Sequence, residues 1–253
     1  MIVVMARETS TDDLEAIRER IESRGMVAQI NLGVERTVIG VMGSIPPDFK
    51  DEMELMNGVV EVVMISKPYK LASKEFHPDD TIIKVGDAVI GGSAPVIMAG
   101  PCSVEDEEQM VSTAKAVKAA GATVMRGGAF KPRTSPYSFR GMGEGGLKLL
   151  LTAKQEPGLP IITELMATDD IETVAKYADI RQIGARAMQN YNLGGEVGKL
   201  DKPVMVKRGL AASYEEWLLA AEYVMAGGNQ QVILCERGIR GFETFTRFTL
   251  DVA

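Results

Sequence analysis

The residues best suited to chemistry in this sequence are cations, and they recur just after short apolar runs. The densest group is Arg126-Gly-Gly-Ala-Phe-Lys-Pro-Arg-Thr-Ser-Pro-Tyr-Ser-Phe-Arg-Gly, which carries Arg126, Lys131, Arg133 and Arg140 beside the hydroxyls of Thr134, Ser135 and Ser138. Gly127 and Gly128 leave room for backbone N–H groups to approach an anion, and Pro132 and Pro136 restrict the loop. Arg186 follows the run Ile180 to Ile183, Lys207-Arg208 follows Val204 to Val206, and Arg237 follows Val232 to Leu234. Guanidinium forks match phosphate and carboxylate oxygens in pairs, while lysines add point charges. One such group is most often a solvated basic loop or half of an ion pair. Four groups at equivalent positions, in a chain of net charge −7, point to a local site for a small polyanion carrying phosphate and carboxylate.

Other reactive side chains are few. Glu164 follows the run Ile161 to Thr163 and could pair with a cation or hold a catalytic water. Cys102, in Gly100-Pro-Cys-Ser, could be a filler, a nucleophile or a metal ligand, and its place in the expected pocket favours the last two. Cys235 ends an apolar strand and reads as core, as do Trp217 and the methionines. The sole histidine, His77, precedes Pro78 in a polar stretch and is given no chemical role.

The elements that must position these groups fall into two rhythms. Residues 1–70 read β-α-β-β-α-β: strands at 2–5, 27–32, 37–42 and 59–65, a helix capped by Ser10 and stopped by Gly25, and a second helix from Asp48 to Asn57. That order is ferredoxin-like, one sheet face lying under two helices. Residues 71–92 read as a connector. From 93 to 253, strands at 96–99, 123–125, 161–163, 180–183, 204–206 and 232–234 alternate with helical stretches at 105–120, 147–154, 168–177 and 214–225. Alternation of this kind implies parallel strands joined by right-handed crossovers, with ligands at the strands' carboxyl ends.

The bulk numbers narrow the classes. At 253 residues the chain holds one large domain, or one medium and one small. The acidic balance argues against a general nucleic-acid or anionic-membrane surface. No apolar run reaches membrane-span length, the opening residues are too short for a signal peptide, and two cysteines make no disulfide framework, so a reducing cytoplasm is expected.

Taken together, Gly100-Pro-Cys-Ser, Arg126-Gly-Gly-Ala-Phe-Lys-Pro-Arg-Thr-Ser-Pro, Gln182-Ile-Gly-Ala-Arg, Val206-Lys-Arg-Gly and Leu234-Cys-Glu-Arg-Gly resemble 3-deoxy-D-arabino-heptulosonate 7-phosphate (DAHP) synthase, in its form with an amino-terminal ferredoxin-like domain. The resemblance covers the whole chain. The sister octulosonate 8-phosphate synthase shares the fold but carries a Lys-Ala-Asn-Arg-Ser-type run where this chain has Lys131-Pro-Arg-Thr-Ser, and is a weaker choice.

The resemblance implies a (β/α)8 TIM barrel and a transferase that condenses phosphoenolpyruvate with erythrose 4-phosphate, the first step of the shikimate pathway to aromatic amino acids. It implies that Arg126, Lys131, Arg186, Lys207 and Arg237 hold phosphoenolpyruvate and that Arg133 and Thr134 hold the phosphate of erythrose 4-phosphate. Lys131 and Glu164 would be catalytic, Glu164 near the attacking water. Cys102 would be one ligand of a divalent metal, manganese or similar, which polarises the aldehyde. A homo-oligomer, a tetramer in the family, and feedback by an aromatic amino acid on the amino-terminal domain are implied as well. The family's remaining metal ligands, a histidine, a glutamate and an aspartate, come from the last two βα units, and their motifs are absent here. A chain ending before those units is therefore expected, with two unpaired sheet edges and poor solubility or partial unfolding in isolation. The alternative is a non-catalytic remnant that keeps part of an anion site.

Overall fold

The structure, a computed structural model, describes residues 1–33, 36–64 and 68–252. The chain divides into two compact units, Met1–Asp80 and Thr81–Ala253.

The first unit runs β1 (Ile2–Met5), α1 (Thr11–Ser23), β2 (Val27–Leu32), β3 (Thr37–Met42), α2 (Phe49–Glu54) and β4 (Val59–Val63). The last strand expected from the sequence reached Ile65, which lies outside the described residues. The sheet order is β2-β3-β1-β4, and every described pairing is antiparallel. The Ser10 hydroxyl accepts from the Asp13 amide at 3.1 Å and so caps α1. Met1, Val3 and Met5 point into a core with Ile17, Ile21, Phe49 and Met53 of the two helices. The uninterrupted run Ile2-Val-Val-Met follows from burial on both faces. Ile2 and Val4 are also buried, and on their side the Phe76 ring lies where a Cβ on Gly40 would stand, 2.7 Å away. Two helices cover one face, as expected, and the stretch around Phe76 covers the other.

The second unit opens with a hairpin, β5 (Ile83–Val85) and β6 (Ala88–Ile90), inside the stretch read as a connector. Its two-residue turn begins at Gly86, whose φ of +55° suits the first position of a type II′ turn. Three-residue strands are too short for alternation to reveal them. The hairpin's Ile83, Val85 and Ala88 pack with Val124, Ile162, Ile180 and Met205, side chains from inside the larger sheet.

That sheet has six parallel strands in sequential order: β7 (Met98–Ala99), β8 (Val124–Arg126), β9 (Ile161–Leu165), β10 (Ile180–Ile183), β11 (Val204–Lys207) and β12 (Val232–Cys235). It curls as part of a TIM barrel. Among the described residues β7 pairs only with β8 and β12 only with β11. The helices α3 (Glu107–Ala119), α4 (Glu144–Gln155), α5 (Ile171–Tyr177), α6 (Tyr191–Gly198) and α7 (Tyr214–Ala226) alternate with the strands. Their apolar faces meet the sheet's outer face in one cluster that includes Met110, Leu147, Leu150, Val174, Val197 and Trp217. A strand between this cluster and the hairpin is largely apolar on both sides, which is why most of these strands read as near-continuous runs; β10, Ile-Arg-Gln-Ile, departs from this with Arg181 and Gln182 buried in it.

Helix α6 is not among the helices expected from the sequence. Its Tyr-Asn-Leu-Gly-Gly-Glu-Val-Gly composition disfavours a helix, each glycine costing about 1 kcal/mol against alanine. Packing explains Gly198: a Cβ there would lie 2.2 Å from the Val224 carbonyl oxygen of α7. At Gly195 a Cβ would meet nothing within 4 Å. Gly198→Ala should therefore destabilise the protein by about 1–3 kcal/mol through overpacking, while Gly195→Ala should stabilise it by roughly 0.5–1 kcal/mol. Urea denaturation of both variants tests this, and equal shifts of one sign would refute the packing account.

Candidate active site

The carboxyl ends of the parallel strands open on a cleft of about 510 Å3. Arg126 reaches it from the end of β8, Glu164 from β9, Lys207 from β11, Arg186 from just past β10 and Arg237 from just past β12. Lys131, Arg133 and Thr134 come from the loop after β8, and Cys102 from the loop after β7. The structure thus brings every residue singled out as a site residue from the sequence to one cavity. Arg140, the fourth cation of the β8 loop, is exposed and does not line it.

The β8 loop is shaped by its own backbone. Lys131 N–H donates to the Arg140 carbonyl at 2.9 Å and Gly143 N–H to the Ala129 carbonyl at 3.0 Å, folding the loop back on itself. The Thr163 hydroxyl, buried in β9, donates to the Gly127 carbonyl at 2.6 Å and fixes the loop's root. The reading of Gly127 and Gly128 as a backbone anion cradle is corrected here: both are buried and neither lines the cleft. A Cβ on Gly127 would strike Leu150 at 2.7 Å, and one on Gly128 would strike the Cys102 carbonyl oxygen at 2.7 Å. These glycines let the β7 and β8 loops and the helix layer approach one another.

Lys131 is only 7% exposed and donates from Nζ to the Cys102 carbonyl at 2.6 Å and to Cys102 Sγ at 3.3 Å. Arg126 donates to the Pro101 carbonyl at 3.1 Å, so the same short loop orients both cations. Arg133 is steadied through its Nε by the Phe139 carbonyl at 3.0 Å. Burial alone would raise the Cys102 thiol, but the hydrogen bond from Lys131 and the charges of Lys131 and Arg126 outweigh it and hold the thiol below its ordinary range. Burial pushes the Glu164 carboxyl up in spite of Lys131, Lys207, Arg126 and Arg186 around it. Burial lowers Lys207, and Arg126 and Arg237 lower it further. Gly184 faces Glu164 so closely that a Cβ would lie 2.0 Å from its Oε1.

The cavity holds Arg126, Lys131, Arg133, Arg186, Lys207, Arg237 and also Arg247 against the single acid Glu164. Arg247 escaped the sequence reading because no strand precedes it, so the strand-end rule cannot select it. Arg208, next to Lys207, does the opposite of its neighbour: its side chain is 4% exposed and its Nη1 donates to Glu236 and Asp251, both at 2.9 Å. It is a structural ion pair rather than an anion ligand. Cys235 is half-buried among the inner side chains, with its thiol raised by burial, as expected of a core residue. His77 belongs to the first unit, where its Nδ1 lies 2.8 Å from the Asp79 carbonyl oxygen. As for metal donors, among the described residues no group of three His, Cys, Asp or Glu side chains converges. Among the described residues that line the cleft, Cys102 is the one member of the expected metal-ligand set, and its sulfur accepts from Lys131 Nζ.

A parallel β/α sheet of barrel type with a cationic cleft at its carboxyl ends defines the class of barrel proteins built for small anionic metabolites. The chain belongs to the DAHP synthetase I family, whose model matches residues 71–253, and the DAHP synthase ferredoxin-like domain model matches residues 1–67. It is 48% identical over 253 residues to phospho-2-dehydro-3-deoxyheptonate aldolase of Thermotoga maritima, covering all of this chain and 75% of that protein. A crystal structure of that Thermotoga maritima protein, a DAHP synthase, matches 99% of this chain and 73% of its own with a TM-score of 0.72. The 2-dehydro-3-deoxyphosphooctonate aldolase of Syntrophotalea carbinolica is 32% identical over 164 residues, covering 62% of this chain and 59% of its own. Both identity and coverage favour the heptonate relative over the octonate one. No described helix is long and apolar enough to cross a membrane.

The contrast between the two cysteines is measurable. Alkylation of Cys102, followed by mass spectrometry across pH, should show a midpoint below the ~8.5 of a free thiol, and Lys131→Met should move it upward. Cys235 should react slowly throughout. A Cys102 midpoint unchanged by Lys131→Met would contradict the proposed electrostatic cause.

Proposed function

We propose that the cleft binds phosphoenolpyruvate and erythrose 4-phosphate and that the protein acts as 3-deoxy-7-phosphoheptulonate synthase, a transferase of the shikimate pathway. The observation that carries this reading is the charge imbalance at the carboxyl-end face of the sheet: seven cations face one half-buried carboxyl in a single cleft. Identity of 48% along the whole chain to the Thermotoga maritima aldolase supports the choice of substrates.

In this reading Arg126, Lys131, Arg186, Lys207 and Arg237 hold the carboxylate and phosphate of phosphoenolpyruvate. Arg133 and Thr134, further out on the β8 loop, hold the phosphate of the aldose. The enol carbon of phosphoenolpyruvate attacks the aldehyde, a carbon–carbon bond forms, and water adds at the phosphate-bearing carbon before inorganic phosphate leaves. Lys131 stabilises the alkoxide that develops from the aldehyde, with its ammonium fixed by Cys102 and desolvated by burial. Glu164 accepts a proton from the attacking water, a task suited to a carboxyl raised by burial. A divalent metal, manganese or similar, would polarise the aldehyde if bound. The donors described in this chain do not form a site for it beyond Cys102, and the steps above use only the chain's own residues.

For the unit Met1–Asp80 we propose a feedback role with an aromatic amino acid as effector, in a cytoplasmic homo-oligomer, a tetramer by analogy with the family. Free cysteines and phosphorylated substrates fit that compartment.

Calorimetric titration tests the substrate assignment. Arg133→Ala should weaken erythrose 4-phosphate binding about tenfold or more, from loss of a charge-assisted hydrogen bond of ~1.5–3 kcal/mol, and leave phosphoenolpyruvate binding within about twofold. Equal losses for both ligands would overturn the division of the cleft.

A further inference from the structure

We propose that Arg247 is a further ligand of the substrate's anionic group, meeting the same oxygens as Arg186 and Arg237 from a loop stapled at its neck. The proposal deepens the reading of the cleft as a phosphoenolpyruvate site and rests on it.

The loop is the segment that follows β12. Glu236, at its entry, and Asp251, at its exit, both accept from Nη1 of the buried Arg208 at 2.9 Å. One guanidinium therefore ties the two ends of the loop together. Inside that tie, Ile239 N–H donates to the Thr249 carbonyl at 2.8 Å and Thr249 N–H to the Ile239 carbonyl at 2.9 Å. Glu236 Oε1 also accepts from the backbone N–H groups of Arg237 at 2.9 Å and Gly238 at 2.6 Å, which sets the direction in which Arg237 leaves β12. The neck thus places two arginines, Arg237 on one limb and Arg247 on the other.

Phe248 holds them on one aromatic surface. The Arg237 guanidinium carbon lies 3.8 Å from the centre of the Phe248 ring and that of Arg247 lies 5.2 Å from it. Cation–π attraction holds both by their faces; Arg237 Nη1 also donates to the Gly238 carbonyl at 3.2 Å, and its remaining N–H groups are left for a ligand. Arg186, Arg237 and Arg247 all line the cleft, and none of the three has an ion-pair partner among the described residues. Like charges gathered this way repel, and Arg237 is lowered first by burial, then by Arg247 and Arg186. The arrangement is stable at least cost when an anion sits among the three. Guanidinium forks and a dianionic phosphate or a carboxylate match in geometry. Arg240 supplies the comparison within the same loop: it is exposed, lies outside the cleft, and its backbone N–H donates to the Leu210 carbonyl at 2.8 Å.

The experiment is calorimetric titration of the full chain with two probes, phosphoenolpyruvate and inorganic phosphate, for the wild type, R247Q, R247K and R240Q. R247Q should weaken phosphoenolpyruvate roughly ten- to hundredfold and reduce the salt dependence of binding, R247K should recover part of the loss, and R240Q should match the wild type. Because Arg247 is exposed, melting curves of R247Q and R247K should coincide with the wild type. R247Q binding both probes as the wild type does would overturn the proposal. Should phosphate bind with the same dependence on Arg247 while phosphoenolpyruvate does not bind, the arginine's role stands and the substrate reading falls. A wild type that binds neither probe overturns both.

Discussion

Repulsion among cations at the carboxyl ends of the strands is the constraint on which the rest of the second unit depends. Seven positive side chains and one half-buried acid share a cleft of about 510 Å3, an arrangement that lowers stability in the free protein. It persists because the scaffold beneath it is apolar and tightly fixed. The inner strand residues close over the β5–β6 hairpin, the outer ones over five helices, and no strand can shift without exposing both faces. The functional groups sit where strands end and side chains cease to be needed for the core.

The comparison of Arg208 with Lys207 shows how one strand end serves two purposes. Lys207 faces the cleft without an ion pair among the described residues and is lowered by burial and by neighbouring arginines. Arg208, one residue on, turns into the structure, where Glu236 and Asp251 raise it and the Tyr214 ring lies 4.3 Å from its guanidinium carbon. Alternation along the strand separates a compensated charge that holds structure from an uncompensated one that awaits a ligand.

Much of this was legible in the sequence because its physical cause is local. Strand Thr37–Met42 is a mostly apolar run between Arg36 and Gly43, strand Ile180–Ile183 has isoleucines at both ends between Asp179 and Gly184, and the limits of both agree with the structure residue for residue. The cations after successive strands were recognisable because parallel β/α topology fixes what lies after a strand. Features set by tertiary contact were not legible. Helix α6 carries three glycines, two of which, Gly194 and Gly198, lie against α7, a contact that the sequence does not reveal. Gly127 and Gly128 looked like an anion cradle, yet their small size serves packing against Leu150 and the Cys102 carbonyl. Arg247 is brought to the cleft by a loop whose neck depends on Arg208, Glu236 and Asp251, residues far apart in sequence.

If uncompensated positive charge is the organising feature of the cleft, an anionic ligand that relieves it must stabilise the fold. The direct measurement is the thermal unfolding midpoint of the chain at rising phosphoenolpyruvate concentration, in low salt and again in high salt. The account predicts a midpoint that climbs with ligand, equivalent to about 2.7 kcal/mol at a hundredfold excess over Kd, and a smaller climb in high salt. A midpoint independent of phosphoenolpyruvate at low ionic strength would contradict it.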